Sequence, residues 1–114
     1  MQLDRDIFEN GLLITVASAR IDASGAIQFK DQMRELTASG PARVVLNLEQ
    51  VEFVDSTGLG AIVASMKQLA TGQVLELAAL NSAVDKVFRL TRMDTVFTIH
   101  DKVDEVFEGS RRAG

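Results

Sequence analysis

Hydrophobic residues change their spacing several times along this chain, and each change predicts an element. Residues 12–19 alternate, with Leu12, Ile14 and Val16 on one face, as a strand requires. A shorter strand is expected before it over residues 3–8, joined through Glu9-Asn10-Gly11, whose Asn-Gly pair is a hairpin signal. From Ser24 the period lengthens. Ala26, Phe29, Met33 and Leu36 form one stripe of a helix, and Gly40-Pro41 closes it. Val44, Val45, Leu46 and Leu48, interrupted only by Asn47, suit a strand covered on both faces. A second helix is predicted over residues 57–70, with Leu59, Ile62, Val63, Met66 and Leu69 inward. Residues 74–80 predict another buried strand. Ser82-x-x-Asp85 has the form of a capping box for a third helix, its inward face formed by Val84, Val87, Phe88 and Thr91. Residues 96–99 predict a last strand, and Asp101 a cap for a final helix carrying Val103, Val106 and Phe107.

The order β-β-α-β-α-β-α-β-α predicts an α/β sandwich: a mostly parallel central sheet, an antiparallel edge hairpin and about four helices. One domain is expected over residues 1–108, followed by a tail over 109–114. With 114 residues the chain can bury a core without disulfides or metals.

Composition narrows the function. There is no cysteine, which removes thiol catalysis and cysteine-based zinc sites, and the single histidine, His100, cannot build a metal cluster. The net charge of −4 and scattered basic residues give no footprint for nucleic acid or an anionic membrane. No apolar run approaches the roughly 20 residues needed to span a bilayer, so a cytoplasmic protein is expected, without cofactor, nucleic acid or membrane partner.

The most unusual stretch is Phe53-Val54-Asp55-Ser56-Thr57-Gly58-Leu59-Gly60, which joins a strand region to a helix start. Two readings are open: a helix cap made by Asp55 or Ser56, or a functional hydroxyl at the helix end. Gly58, Gly60, Ala61 and Ala64 give the helix a small-residue surface, either to admit another backbone or as plain filler. Enzymatic readings fail on spacing. A dinucleotide fingerprint would need glycine where Val63 stands, and no phosphate-binding loop with its lysine is present. A Ser–His–Asp triad would have to recruit His100, with Asp55 poorly placed to orient it from behind.

The run Val44-Val45-Leu46-Asn47-Leu48-x-x-Val51-x-Phe53-Val54-Asp55-Ser56-Thr57-Gly58-Leu59-Gly60 resembles the signature of the STAS family, which includes bacterial anti-sigma-factor antagonists and domains of sulphate transporters. Arg20-Ile21-Asp22 resembles the turn before that family's first helix. Val84-x-x-Val87-Phe88-x-Leu90-Thr91-x-Met93 resembles its third helix, and Val96-Phe97 the strand after it. The resemblance implies that Ser56 is the target of an anti-sigma-factor serine kinase of the histidine-kinase-like ATPase fold. It implies that a PP2C-type phosphatase resets the serine. Asp22, Asp55, Thr57, Gly58, Leu59 and Gly60 are then expected partner contacts. The chain departs from the family at Asn47, where aspartate is common, and at Ala19, where glycine is common. A second reading within the family is an unphosphorylated accessory subunit of a lipid-transport ATPase or a signalling scaffold.

Overall fold

Leu12, Ile14 and Val16 have no exposure, but the residue between the first two, Leu13, is also buried. The strand they belong to is therefore covered on both faces. The computed structural model describes residues 1–113 and shows how. Strands β1 (Leu3–Phe8), β2 (Gly11–Val16), β4 (Arg43–Asn47), β6 (Val74–Ala78) and β7 (Ile99–His100) form one sheet in the order β1-β2-β4-β6-β7. β1 pairs antiparallel with β2, and the other neighbours are parallel. Two further short strands, β3 (Arg20–Ile21) and β5 (Phe53–Val54), pair in parallel with each other, apart from the main sheet. The mostly parallel sandwich with one antiparallel hairpin is the predicted architecture.

Helices α1 (Ala26–Thr37), α2 (Ser56–Lys67) and α3 (Ser82–Leu90) contribute Phe29, Met33, Ala61, Ile62, Val84 and Phe88 to the main core, with Leu12, Ile14, Leu46 and Leu77 of the sheet. The opposite sheet face holds a smaller cluster: Leu13, Val45 and Ala78 under Val106 and Phe107 of α4 (Val103–Phe107). Successive strand residues point to opposite faces, so the continuous apolar run in β4 serves both clusters. Each large side chain fully buried here contributes roughly 1.5–3 kcal/mol. Among the described residues no helix is long and apolar enough to cross a membrane.

Several local expectations are corrected. The hairpin loop is Glu9–Asn10, because Gly11 already pairs with Phe8 inside the ladder. A Cβ at Gly11 would meet the Arg43 carbonyl oxygen at 3.0 Å, so close strand approach, not turn geometry, accounts for the glycine. Helix α1 ends at Thr37, and Ser39 (φ 57), not Gly40, takes the left-handed position. Helix α2 runs from Ser56 to Lys67, shorter at its end than predicted. Asn81, not Ser82, caps α3: its Oδ1 accepts from Val84 N at 2.9 Å and its Nδ2 donates to the Val51 carbonyl at 2.6 Å. Thr91 turns its hydroxyl back to the Val87 carbonyl instead of facing inward. In place of a strand over 96–99, a 3-10 turn (Met93–Thr95) leads to exposed Val96 and buried Phe97, whose ring meets Phe88 edge-on at 6.2 Å. Pairing with β6 begins only where Leu77 N donates to the Thr98 carbonyl. The first residue before α4 is Lys102, so Asp101 is not its cap.

Candidate functional site

The β3–β5 pair brings two distant loops together. Its register sets Arg20 against Phe53 and Ile21 against Val54, so Asp22 and Asp55 follow at matching positions. The pair is clasped from outside by Arg20, whose guanidinium carbon lies 4.1 Å from the centroid of the Phe53 ring, a cation–π contact. Asp55 N donates to the Ile21 carbonyl at 3.4 Å, and Ala23 N donates to Asp55 Oδ2 at the same distance.

Asp55 is also the N-cap of α2. Its Oδ1 accepts from Gly58 N at 2.7 Å, while its carbonyl accepts from Leu59 N at 2.8 Å. Between the two cap readings the structure selects Asp55. Ser56, the first residue of the helix, is exposed and is not the cap.

Asp22 makes a second, separate turn. Its Oδ1 accepts from Ser24 N at 3.1 Å and from the Ser24 hydroxyl at 2.6 Å, and its Oδ2 accepts from Arg20 Nε at 3.0 Å. The Ser24 hydroxyl first, then the Arg20 guanidinium, holds the Asp22 carboxyl below its ordinary value. Asp22 and Asp55 are thus both already engaged in shaping the two loops.

The glycines of the motif divide. Gly58 is buried, and a Cβ there would lie 1.8 Å from the Ile21 carbonyl oxygen; nothing lies within 4 Å of the corresponding point at Gly60. The close-approach reading therefore holds at Gly58, where the approaching backbone is the chain's own β3. Gly58, expected as a partner contact, faces inward instead. Thr57 and Gly60 are exposed, and Leu59 is half-buried against the main core. Small-residue Ala61 is likewise interior, at 3% exposure.

Arg20 and Phe53 form a contacting pair that no spacing in the sequence predicts. The signal in the sequence is Phe53 itself, a large apolar residue directly before a polar motif; in the structure it is 39% exposed. His100, in β7, is engaged within the main sheet. Its Nε2 lies 2.7 Å from Glu76 Oε1, which further accepts from Arg43 Nε at 3.0 Å and Arg43 Nη2 at 2.9 Å. Burial alone would raise the Glu76 carboxyl, but the hydrogen bonds from His100 and Arg43 outweigh it and hold the group low. This cluster belongs to the main sheet and shares no residue with the Ser56 loop.

The sequence profile of the STAS domain matches residues 5–106. The chain belongs to the STAS domain family. A Thermotoga maritima protein named as a candidate anti-sigma factor antagonist is 30% identical over 103 residues, covering 89% of this chain and 91% of the relative. The anti-sigma-F factor antagonist RsfB of Mycobacterium tuberculosis is 24% identical over 102 residues, covering 90% of this chain and 84% of the relative. Among solved structures, an anti-sigma factor antagonist from Mycobacterium paratuberculosis superposes with a TM-score of 0.82 at 22% identity, over 95% of this chain and 92% of that one. That last likeness is one of fold.

Proposed function

We propose that this STAS protein is an anti-sigma-factor antagonist that works by partner switching, as a binding module without catalysis of its own. Unmodified, it binds an anti-sigma-factor serine kinase and frees the sigma factor; phosphorylated on Ser56, it releases the kinase, and a PP2C-type phosphatase restores it. The names of the two sequence relatives support the class. The observation that carries the switch is that Ser56 is exposed on the first turn of α2 while Asp55 supplies the cap.

The division of labour matters energetically. A phosphate adds about −1.5 to −2 charges and three strong acceptors. At the start of α2 the backbone amides and the helix dipole favour that charge, and the cap bond from Asp55 to Gly58 does not involve the serine hydroxyl. The fold therefore tolerates the modification. A partner surface docked over Ser56, Thr57 and Gly60 must instead desolvate the phosphate beside the carboxylates of Asp55 and Asp22.

Titration calorimetry against the kinase tests the proposal, with a thermal melt of each protein. Ser56→Ala should bind like wild type and resist release by ATP. Ser56→Asp should bind more weakly by roughly 1–3 kcal/mol, and the phosphoprotein more weakly still, with melts unchanged. Equal binding by all forms refutes the switch; weaker binding that tracks a collapsed melt makes Ser56 a structural residue.

A further inference from the structure

The two edges of the main sheet differ. β7 offers two residues, whereas β1 offers six, and an open edge of that length is a template for another strand. At one end the template is already in use. After α4 the chain reverses at Gly109 (φ 76), with Ser110 N donating to the Phe107 carbonyl at 2.9 Å. It then runs back antiparallel to β1. Glu9 N donates to the Arg111 carbonyl at 2.9 Å, Ala113 N donates to the Ile7 carbonyl at 2.6 Å, and Arg112 pairs with Phe8 in an antiparallel bridge. Arg112 Nε lies 3.6 Å from Asp6 Oδ1, and its guanidinium stands 5.7 Å from the Phe8 ring centroid. Beyond Ile7 the outer edge of β1 has no strand partner among the described residues.

The bridge fixes the register of any strand that continues this path. Asp4, Asp6 and Phe8 alternate with Arg5 and Ile7, so the two carboxylates share one sheet face with Phe8. A strand in the tail's register has one residue opposite Phe8, the second one on opposite Asp6 and the fourth opposite Asp4. A basic side chain at each of those positions meets a carboxylate, as Arg112 already does with Asp6. A second copy of β1 fits poorly on the part of the edge that the strap leaves free. Pairing β1 with itself about a two-fold axis at Arg5 sets Asp4 against Asp6 and Arg5 against Arg5, and an axis at Asp6 sets that carboxylate against itself, all like charges.

We infer that the outer edge of β1 is a strand-addition site for an extended segment of a partner protein with basic residues at alternate positions. The chain's own residues 110–113 occupy one end of it as a strap. The site is separate from the Ser56 loop, and docking there would displace or extend the strap without touching α2.

The probe is a fluorescein-labelled peptide, Ser-Arg-Arg-Ala-Lys-Val-Lys, which starts with the tail's residues 110–113 and then places lysines opposite Asp6 and Asp4. A control peptide carries glutamate in place of both lysines. Anisotropy titrations use the full chain, its Ala113→Pro variant, which lacks the N–H that bonds Ile7, and Arg112→Ala as a second way to loosen the strap. Both loosened variants should bind the lysine peptide roughly threefold or more tighter than wild type. The glutamate peptide, or an Asp4→Lys/Asp6→Lys chain, should lose roughly tenfold or more. Hydrogen exchange should show the Arg5 amide protected by the lysine peptide. Equal affinity for the two peptides, or an Arg5 amide that exchanges unchanged at saturation, overturns the site. Peptide binding that neither loosened variant improves overturns the strap, and concentration-dependent dimerisation of those variants assigns the edge to a second copy instead.

Discussion

Adding one methyl group at Gly58 tests how the site is assembled. An alanine Cβ there would sit 1.8 Å from the Ile21 carbonyl oxygen and 2.6 Å from its carbon, and both atoms are backbone. Real contacts of this kind stay above 3.0 Å, so α2 and β3 must separate. The movement strains the Asp55 N to Ile21 carbonyl bond, the pairing of Ile21 with Val54, and the burial of Ile21, which has no exposure. Overpacking of a close contact costs roughly 1–3 kcal/mol and one lost hydrogen bond roughly 0.5–1.5. Alanine returns up to about 1 kcal/mol as a better helix former, leaving a net loss of roughly 0.5–3.5 kcal/mol. For a chain of this size that lowers the melting temperature by roughly 2–15 °C. Gly60→Ala is the internal control. It has the same propensity gain and nothing within 4 Å to hit, so it should raise stability by about 0.5–1 kcal/mol. Circular-dichroism melts of the two variants decide the matter. A Gly58→Ala melt equal to or above wild type refutes the wedge, and with it the account of how β3 is held against α2.

Ile62→Ala should cost roughly 2–5 kcal/mol by denaturant titration, since Ile62 has no exposure, whereas Met66→Ala, only partly buried, should cost less. Asp55→Ala removes the cap and should cost roughly 0.5–2 kcal/mol, while Ser56→Ala stays within a few tenths. Equal losses in their melts would mean that the cap is wrongly assigned. Because the Glu76 carboxyl is held below its ordinary value, it contributes stability above about pH 4.5 that is lost as pH falls through its folded value. Glu76→Gln should therefore flatten the acid side of a stability–pH curve, and an unchanged slope below pH 4.5 would exclude that role. His100→Ala should lower stability by about 1 kcal/mol through the lost bond to Glu76, with binding of the proposed kinase partner within about twofold of wild type.

The long periodic elements were legible because burial of a stripe or a run leaves a direct imprint on spacing. Phe29 and Met33 in α1, and Val44 to Leu46 in β4, took the predicted places. The misreadings fall where one residue's local preference was outvoted by a contact from elsewhere. Asn81 caps α3 because it also reaches the Val51 carbonyl, a partner about thirty residues away that no local motif reveals. Gly11 serves the neighbouring strand and not the turn. Phe97 is drawn into the core against Phe88, so the backbone takes a 3-10 turn before the short β7 can pair. At the site, the motif itself was visible, but its partner loop was not. The pairing of Arg20-Ile21 with Phe53-Val54 is a two-residue ladder between segments with no shared pattern.

That small ladder explains how one short motif can hold its own structure and still leave a surface for the proposed exchange of partners. Asp55 and Gly58 are occupied internally, the first with the amides of Gly58 and Ala23, the second under the Ile21 carbonyl. Ser56, Thr57 and Gly60, interleaved with them on the same turns, remain exposed. The geometry of the exposed set is fixed by the buried one, because a helix turn gives successive residues no independent freedom. Charge placed on Ser56 therefore meets a surface that does not yield, and its cost falls on whatever is docked there. In a flexible loop the same phosphate could turn away into solvent and leave the partner in place.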